Sequence, residues 1–316
     1  MVKFIGKRIL ISVLLVFIVS VLVFALMHSI PGDPVRLAMG YEASEEDVER
    51  MREKLNMDKP VTEQYFMWVE GILRGDFGPS IVFNRTVGDM LLERLPRTVS
   101  IGLPALMLSI IAGIIFGIIS ALRRGKAIDQ AITFLSTLGV GTPVFWVGIV
   151  CIYVFAVWLK LLPIQGYTAP SHDFVKYLRQ AAMPVFCLSI GLVASLARQT
   201  RSNMLEVINN DYIRTARANG IKERSVIFRH ALKNAMIPVV TIIGMQVRLV
   251  IGGSLIVEQV FNISGVGMML TSAISNRDYW VVQGCVLMIS LFTVTCNLVV
   301  DVLYGFIDPR IRRSRS

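Results

Sequence analysis

The sequence is poor in the groups that chemistry usually needs. Its three histidines, His28, His172 and His230, lie far apart along the chain. Its four cysteines, Cys151, Cys187, Cys285 and Cys296, fall in apolar runs without metal-ligand spacing, so they read as small buried hydrophobes. No G-x-x-x-x-G-K-S/T segment is present, which excludes ATP binding by a phosphate loop. H-E-x-x-H and G-x-S-x-G are also missing, and Gly265-Val266-Gly267 lacks the third glycine of a dinucleotide fingerprint. Acidic residues gather in one segment only, where a solvated face accounts for them. No Ser/Gly-rich linker interrupts the chain, and no internal repeat is visible. These absences argue against an intrinsic enzyme and a metal centre.

Charge itself is scarce, at 17% of residues, whereas apolar residues make up 54%. A soluble protein has nowhere to put that much apolar surface, so the composition indicates an integral membrane protein. The formal net charge of +10 could suggest a nucleic-acid partner. The basic residues fall between apolar runs instead, which is a pattern of membrane topology, and no nucleic acid is expected.

Residues 1–30 read as a basic end, with Lys3, Lys7 and Arg8, and a first span in which Ile9 to Met27 carry no charge. About 20 apolar residues cross a bilayer as a helix. A cleaved signal peptide has a similar start. The apolar run here is longer than a usual signal core, and His28-Ser29-Ile30-Pro31 offers no small-x-small cleavage site, so retention is expected. Residues 31–97 have soluble character and more acidic than basic side chains. Pro31-Gly32-Asp33-Pro34 stops the first helix. Ser44 should cap a helix whose first turns hold Glu45, Glu46, Asp47 and Glu49. A second helix is expected from Pro60 to Leu73, a turn at Gly75–Ser80, and a third short helix from Val87 to Leu95 ended by Pro96.

A transmembrane core follows at 98–305, with spans at about 98–122, 132–159, 180–198, 238–258 and 279–303. Gly113 and Gly117 form a G-x-x-x-G that allows close helix approach. Pro143 lies near the middle of the third span, and a Gly/Asn-rich loop runs from Glu258 to Asp278. Residues 306–316 form an arginine-rich tail. The expected fold is therefore all-α, with six transmembrane helices and a small helical segment outside. Six spans put both termini on one side. That side also holds Arg123, Arg124, Lys126 and the basic stretch 201–237, so the positive-inside rule makes it cytoplasmic.

The stretch from Arg198 to Pro238 is the most polar part of the core. Met204, Ile208, Tyr212 and Ala216 recur every fourth residue and should line one helix face. Asn219-Gly220 can take the left-handed conformation that ends a helix. A second short helix is expected from Lys222 to Lys233. Two short helices about a glycine turn would make a protrusion suited to a groove in another protein; a merely solvated loop is the alternative.

Asp211-Tyr212-Ile213-Arg214-Thr215-Ala216-Arg217-Ala218-Asn219-Gly220, followed by His230-Ala231-Leu232-Lys233-Asn234-Ala235, resembles the cytoplasmic coupling loop of ABC importer permeases, in particular the dipeptide/oligopeptide/nickel family. Pro31–Pro34, Arg74–Gly78, Glu93–Pro96, Pro143–Trp146, Gly265–Gly267, Asn276–Tyr279 and Asp308–Arg310 extend the resemblance over nearly the whole chain. Arg214 stands where the general permease motif has Glu, and Thr215 where it has its first Ala. Pro238 also lies farther downstream.

The resemblance implies a non-catalytic subunit in the bacterial inner membrane. Its implied partners are a second, related permease forming a heterodimer, two ABC ATPases that use ATP and Mg, and an external substrate-binding protein. It implies that Asp211, Tyr212, Arg214, Thr215, Ala216, Arg217, Asn219, Gly220, Arg224 and His230 form the ATPase-coupling loop. The chain itself is expected to bind no cofactor. Dipeptides, oligopeptides, glutathione-like peptides and nickel complexes are all open as cargo. A stand-alone secondary transporter or channel is the alternative, and ionisable residues inside spans would be its sign. Only Arg248 clearly qualifies. It lies mid-span, and either lines the translocation path or pairs with another helix.

Overall fold

Every long apolar run becomes a helix, because in a bilayer the backbone must satisfy its own hydrogen bonds. The computed structural model describes residues 2–40 and 42–307. Asp308-Pro309-Arg310 and the tail arginines Arg312, Arg313 and Arg315 lie outside the described residues. Among the described residues five helices are long and apolar enough to cross a membrane, or six if a bent pair is one span. Among the described residues the only extended pairing is an isolated bridge between Pro79 and Thr86. The all-α membrane fold expected from the sequence is therefore observed.

The helices are α1 (Val2–Ser29), α2 (Pro34–Met39), α3 (Glu45–Lys54), α4 (Val61–Leu73), α5 (Val87–Leu122), α6 (Ala127–Gly141), α7 (Val144–Cys151), α8 (Phe174–Ile208), α9 (Asp211–Ala218), α10 (Glu223–Ser225), α11 (Leu232–Val260), α12 (Val266–Ser275) and α13 (Tyr279–Ile307). Two π-helical stretches, Ile152–Trp158 and Val226–Ala231, continue α7 and join α10 to α11.

Several boundaries differ from the sequence reading, and most of the differences involve proline. The expected short helix at Val87–Leu95 is the start of α5, which runs unbroken through Pro96 to Leu122. A proline deletes one main-chain hydrogen bond, and that loss does not end a helix packed by its neighbours. Pro238 likewise sits inside α11, so the expected second short helix flows directly into the fifth span. Pro143 has the opposite effect. Thr142, held extended at φ −91°, ψ 127° by the proline that follows, separates α6 from a helix bent by 106°. The third span is thus a broken pair. The fourth, expected at 180–198, is α8, 35 residues long with Pro184 inside it. The loop at 258–278 contains a whole helix, α12.

The chain divides into two units. Of the described residues, one comprises 2–5, Val99–Ile263 and 296–307. Gly113 and Gly117 of α5 meet α8 here. A Cβ on Gly113 would lie 2.8 Å from Leu196 Cβ, and one on Gly117 would strike Thr200. The G-x-x-x-G therefore packs two helices of the same chain. Buried Gln246 of α11 donates to Leu192 O at 2.8 Å and accepts from Ser109 at 3.1 Å, tying α5, α8 and α11 together.

The other unit comprises Gly6–Thr98 and Ser264–Thr295. Phe24 and Met27 of α1, Trp68 of α4, Met90 and Leu91 of α5, Met269 of α12 and Val282 of α13 form its core. Most of α1 exposes its apolar side chains, Leu10, Leu14 and Phe17 among them, as a lipid-facing helix must. Asp33 caps α2 by accepting from Val35 N at 3.0 Å, with Pro34 in the first turn. Ser44 caps α3 as expected.

Candidate functional site

Short helix α9 stands between two long helices. α8 stops at Ile208, and Asn209-Asn210 turns the chain: Asn209 N donates to Glu206 O and Asn210 N to Val207 O. Asp211 in its first turn and Arg217 in its last both suit the helix dipole. Ile213 is fully buried and Ala216 nearly so, against Met204, Val226, Ala231 and Ala235. Burying one such Ile side chain contributes about 1.5–3 kcal/mol. Asp211, Arg214, Thr215 and Arg217 point away from that core and are exposed. The expected single face of Met204, Ile208, Tyr212 and Ala216 is not realised, because the turn at 209–210 resets the phase. Ile213, not Tyr212, is the anchor. Tyr212 is 40% exposed, and its hydroxyl accepts from Asn234 Nδ2 at 2.8 Å.

Gly220 ends α9 as the sequence suggested. Its φ is +72°. Gly220 N donates to Arg217 O at 3.0 Å and Ile221 N to Ala216 O at 3.3 Å, the paired bonds of a Schellman cap. Ile221 packs on the same apolar cluster as Ala216. Across the turn Arg217 grips Glu223 with two hydrogen bonds, at 3.1 and 2.8 Å. Asn219 and Arg224 are exposed. His230 reaches this group through its carbonyl, which faces the Tyr212 hydroxyl. Arg248 is elsewhere, on an exposed strip of α11 beside Met245 and Leu249, without an ion pair or hydrogen bond to any described residue.

The sequence reading missed a buried ion pair that braces this region. Asp129 of α6 receives Arg201 Nε at 2.7 Å and Arg201 Nη2 at 2.9 Å. It also accepts from Ser120 Oγ at 2.5 Å and Gly125 N at 2.9 Å. The available signal was one acidic residue at the head of an apolar run.

In the other unit the dispersed motifs come together. Arg277 Nη1 donates to Pro31 O at 2.7 Å and leaves no room for a side chain at Gly32, whose φ is +118°. Trp280 closes over Gly78 in the same way. Arg97 donates to Glu93 and to Ser264 O, and Val266 N donates to Thr98 Oγ1. Asp278, 1% exposed, accepts from Ser80 Oγ at 2.5 Å and Val82 N at 3.4 Å.

Burial pushes the Asp278 carboxyl above its ordinary 3.8, against the opposing pull of the Ser80 and Val82 donors. An acid raised on folding stabilises most when protonated. Its contribution is complete below pH 3.8 and is lost as pH rises through the raised folded value. Thermal melting of Asp278→Asn should lack that part of the acid-range pH dependence. An unchanged pH profile would remove Asp278 from the account.

Two family models match: "Binding-protein-dependent transport system inner membrane component" over residues 113–313, and the N-terminal component of the same systems over residues 1–102. The "Probable peptide ABC transporter permease protein y4tP" of Sinorhizobium fredii is 38% identical over 309 residues, covering 98% of this chain and 99% of its own. The "Oligopeptide transport system permease protein AppB" of Bacillus subtilis is 39% identical over 314 residues, covering 98% and 99%. These full-length likenesses set aside the stand-alone transporter or channel. With its apolar helices and its two family matches, the chain belongs to the binding-protein-dependent transport system inner membrane components, as a multi-pass permease subunit of an ABC transporter.

Proposed function

We propose that this permease serves an importer of peptides and that α9 with its Gly220 turn receives the motion of an ABC ATPase. The observation that carries the coupling role is the construction of α9. One face is anchored by Ile213 and Ala216, and the other offers Asp211, Arg214 and Thr215 to a partner. The peptide cargo is supported by the names of the two relatives above. In this reading the segment that carries α9 is cytoplasmic, as are both termini. The chain performs no catalysis and binds no cofactor. Two ATPases use ATP and Mg, a related second permease completes the pore as a heterodimer, and an external binding protein delivers the peptide.

Arg248 belongs to the same proposal. A charge within an apolar span is costly unless paired or wetted. Arg248 has no partner among the described residues, so we place it on the translocation path, where it attracts a peptide carboxylate.

Purification of the tagged chain from its own cells tests this reading. An ABC ATPase should co-purify, and the reconstituted complex should take up short peptides only with ATP and the binding protein. Arg248→Ala should raise KM for uptake severalfold. A chain that purifies alone and transports without ATP would overturn the reading, and unchanged kinetics in Arg248→Ala would remove that residue from the path.

A further inference from the structure

Two apolar spans end on either side of one loop. The broken span finishes at Trp158, and α8 begins at Phe174. The chain turns sharply after the first: Lys160 takes φ +53°, and Leu161 N donates back to Phe155 O at 2.9 Å. An open pocket of about 370 Å³ lies between this turn and the start of α8. Its lining residues all belong to the unit built on Val99–Ile263.

Three cations line the pocket, and no acidic residue does. Lys160 comes from the turn. Lys176 and Arg179, three residues apart, share one face of α8. All three are exposed, and none forms an ion pair with a described residue. Asp173, the acid next to them in sequence, is spent on the helix cap, where it accepts from Lys176 N at 2.9 Å. Arg179 Nη2 donates to Leu161 O at 3.2 Å. That bond fixes the guanidinium against the turn and leaves its other N–H groups without a partner among the described residues. Three like charges around one cavity repel one another, and an anion between them turns that repulsion into attraction.

The surroundings identify the anion. Trp158, Leu159 and Leu161 on the turn, and Phe174, Val175 and Leu178 on α8, are exposed apolar side chains. A tryptophan at the end of a span sits at headgroup level, so the cations beside it stand at the depth of lipid phosphates. A water-borne anion or an acidic protein segment would match the cations and leave the apolar groups wet. A phospholipid matches both, with its phosphate among the cations and its acyl chains along the apolar side chains. A lipid with net negative charge is favoured, because a zwitterionic headgroup brings a cation of its own.

We propose that this pocket binds the phosphate of an anionic phospholipid, at the end of α8 remote from α9. Arg179 offers paired N–H donors to the phosphate, and Lys160 and Lys176 act as point charges. With α9 cytoplasmic, this lipid lies in the outer leaflet. The site does not depend on what the permease carries.

The test is quenching of tryptophan fluorescence in the purified full chain, reconstituted in phosphatidylcholine vesicles doped with phosphatidylglycerol brominated on its acyl chains. Bromine quenches only at close range, and the difference between wild type and Trp158→Phe isolates the tryptophan beside Lys160. The basic residues around α9 lie at the other end of a helix about 50 Å long and do not reach this probe. Brominated phosphatidylglycerol should associate at Trp158 at least about fivefold more tightly than brominated phosphatidylcholine, roughly the effect of one basic side chain beside an anionic lipid. Lys176→Gln combined with Arg179→Gln should bring that ratio close to one. Lys176→Arg combined with Arg179→Lys keeps both charges and should retain the preference. No preference at Trp158 in the wild type, or an undiminished one after both charges are removed, would overturn the proposal. So would loss of the preference on adding inorganic phosphate at constant ionic strength, which would assign the pocket to a free anion. Loss on adding polyglutamate would assign it to an acidic protein segment and overturn the proposal equally.

Discussion

Gly220→Val should cut ATP-driven uptake by roughly tenfold or more while the assembled complex still hydrolyses ATP. Gly220 sits at φ +72°, and a Cβ built there meets nothing within 4 Å. Crowding therefore plays no part; only the left-handed backbone matters. An ordinary L-residue there costs about 1–2 kcal/mol, and a β-branched one more. The chain escapes that cost by opening the cap. It then loses the Gly220–Arg217 and Ile221–Ala216 bonds and loosens the Arg217–Glu223 grip. α9 stays anchored by Ile213 but no longer holds a fixed angle to the helix that follows. Gly220→Asn is the discriminating control, because Asn tolerates this region and should retain most uptake. Wild-type uptake by a correctly inserted Gly220→Val protein would sink the coupling role of this turn.

Asp129→Ala should lower the Tm of the purified chain by roughly 4–5 °C, equivalent to about 3 kcal/mol. The Asp129 side chain is 5% exposed and Arg201 29%. Removing the carboxylate strands the guanidinium, and also leaves Ser120 Oγ and Gly125 N without their acceptor. Breaking one side of a buried pair costs about 3–5 kcal/mol. The low end applies because water still reaches Arg201. Asp129→Asn keeps acceptor capacity for two of the four donors and should lose about half as much. Equal melting of Asp129→Ala and wild type would show the pair to be idle.

Much of this protein was legible in its sequence, for identifiable physical reasons. Uncharged runs of some 20 residues have few alternatives to spanning helices. A glycine after an amphipathic turn has one common use, and Gly220 has it. The misreadings have local causes. Pro96 reads as a terminator in the sequence, whereas α5 absorbs its one missing hydrogen bond. Pro143 does interrupt its helix, because it holds Thr142 extended between α6 and α7. Tyr212 does not share a face with Met204, Ile208 and Ala216, because the turn at Asn209-Asn210 breaks the single helical phase that their spacing implies. The Asp129–Arg201 pair joins residues 72 positions apart, and spacing rules cannot reach that far. Nor could they show that Pro31, Gly78, Asp278 and Trp280 meet in one unit.

The length of α8 has a mechanical consequence. The 24 residues from Val185 to Ile208 form a rod of about 36 Å beyond Pro184. Proline is where such a rod bends most readily. Rotation of only 5° about that point would sweep the end next to α9 through about 3 Å, the width of a hydrogen bond. Arg201 is clamped to α6 part-way along the rod, so α6 would be dragged with it. A push of about 3 Å on α9 is thereby converted into a few degrees of rotation about Pro184, without any helix having to unwind.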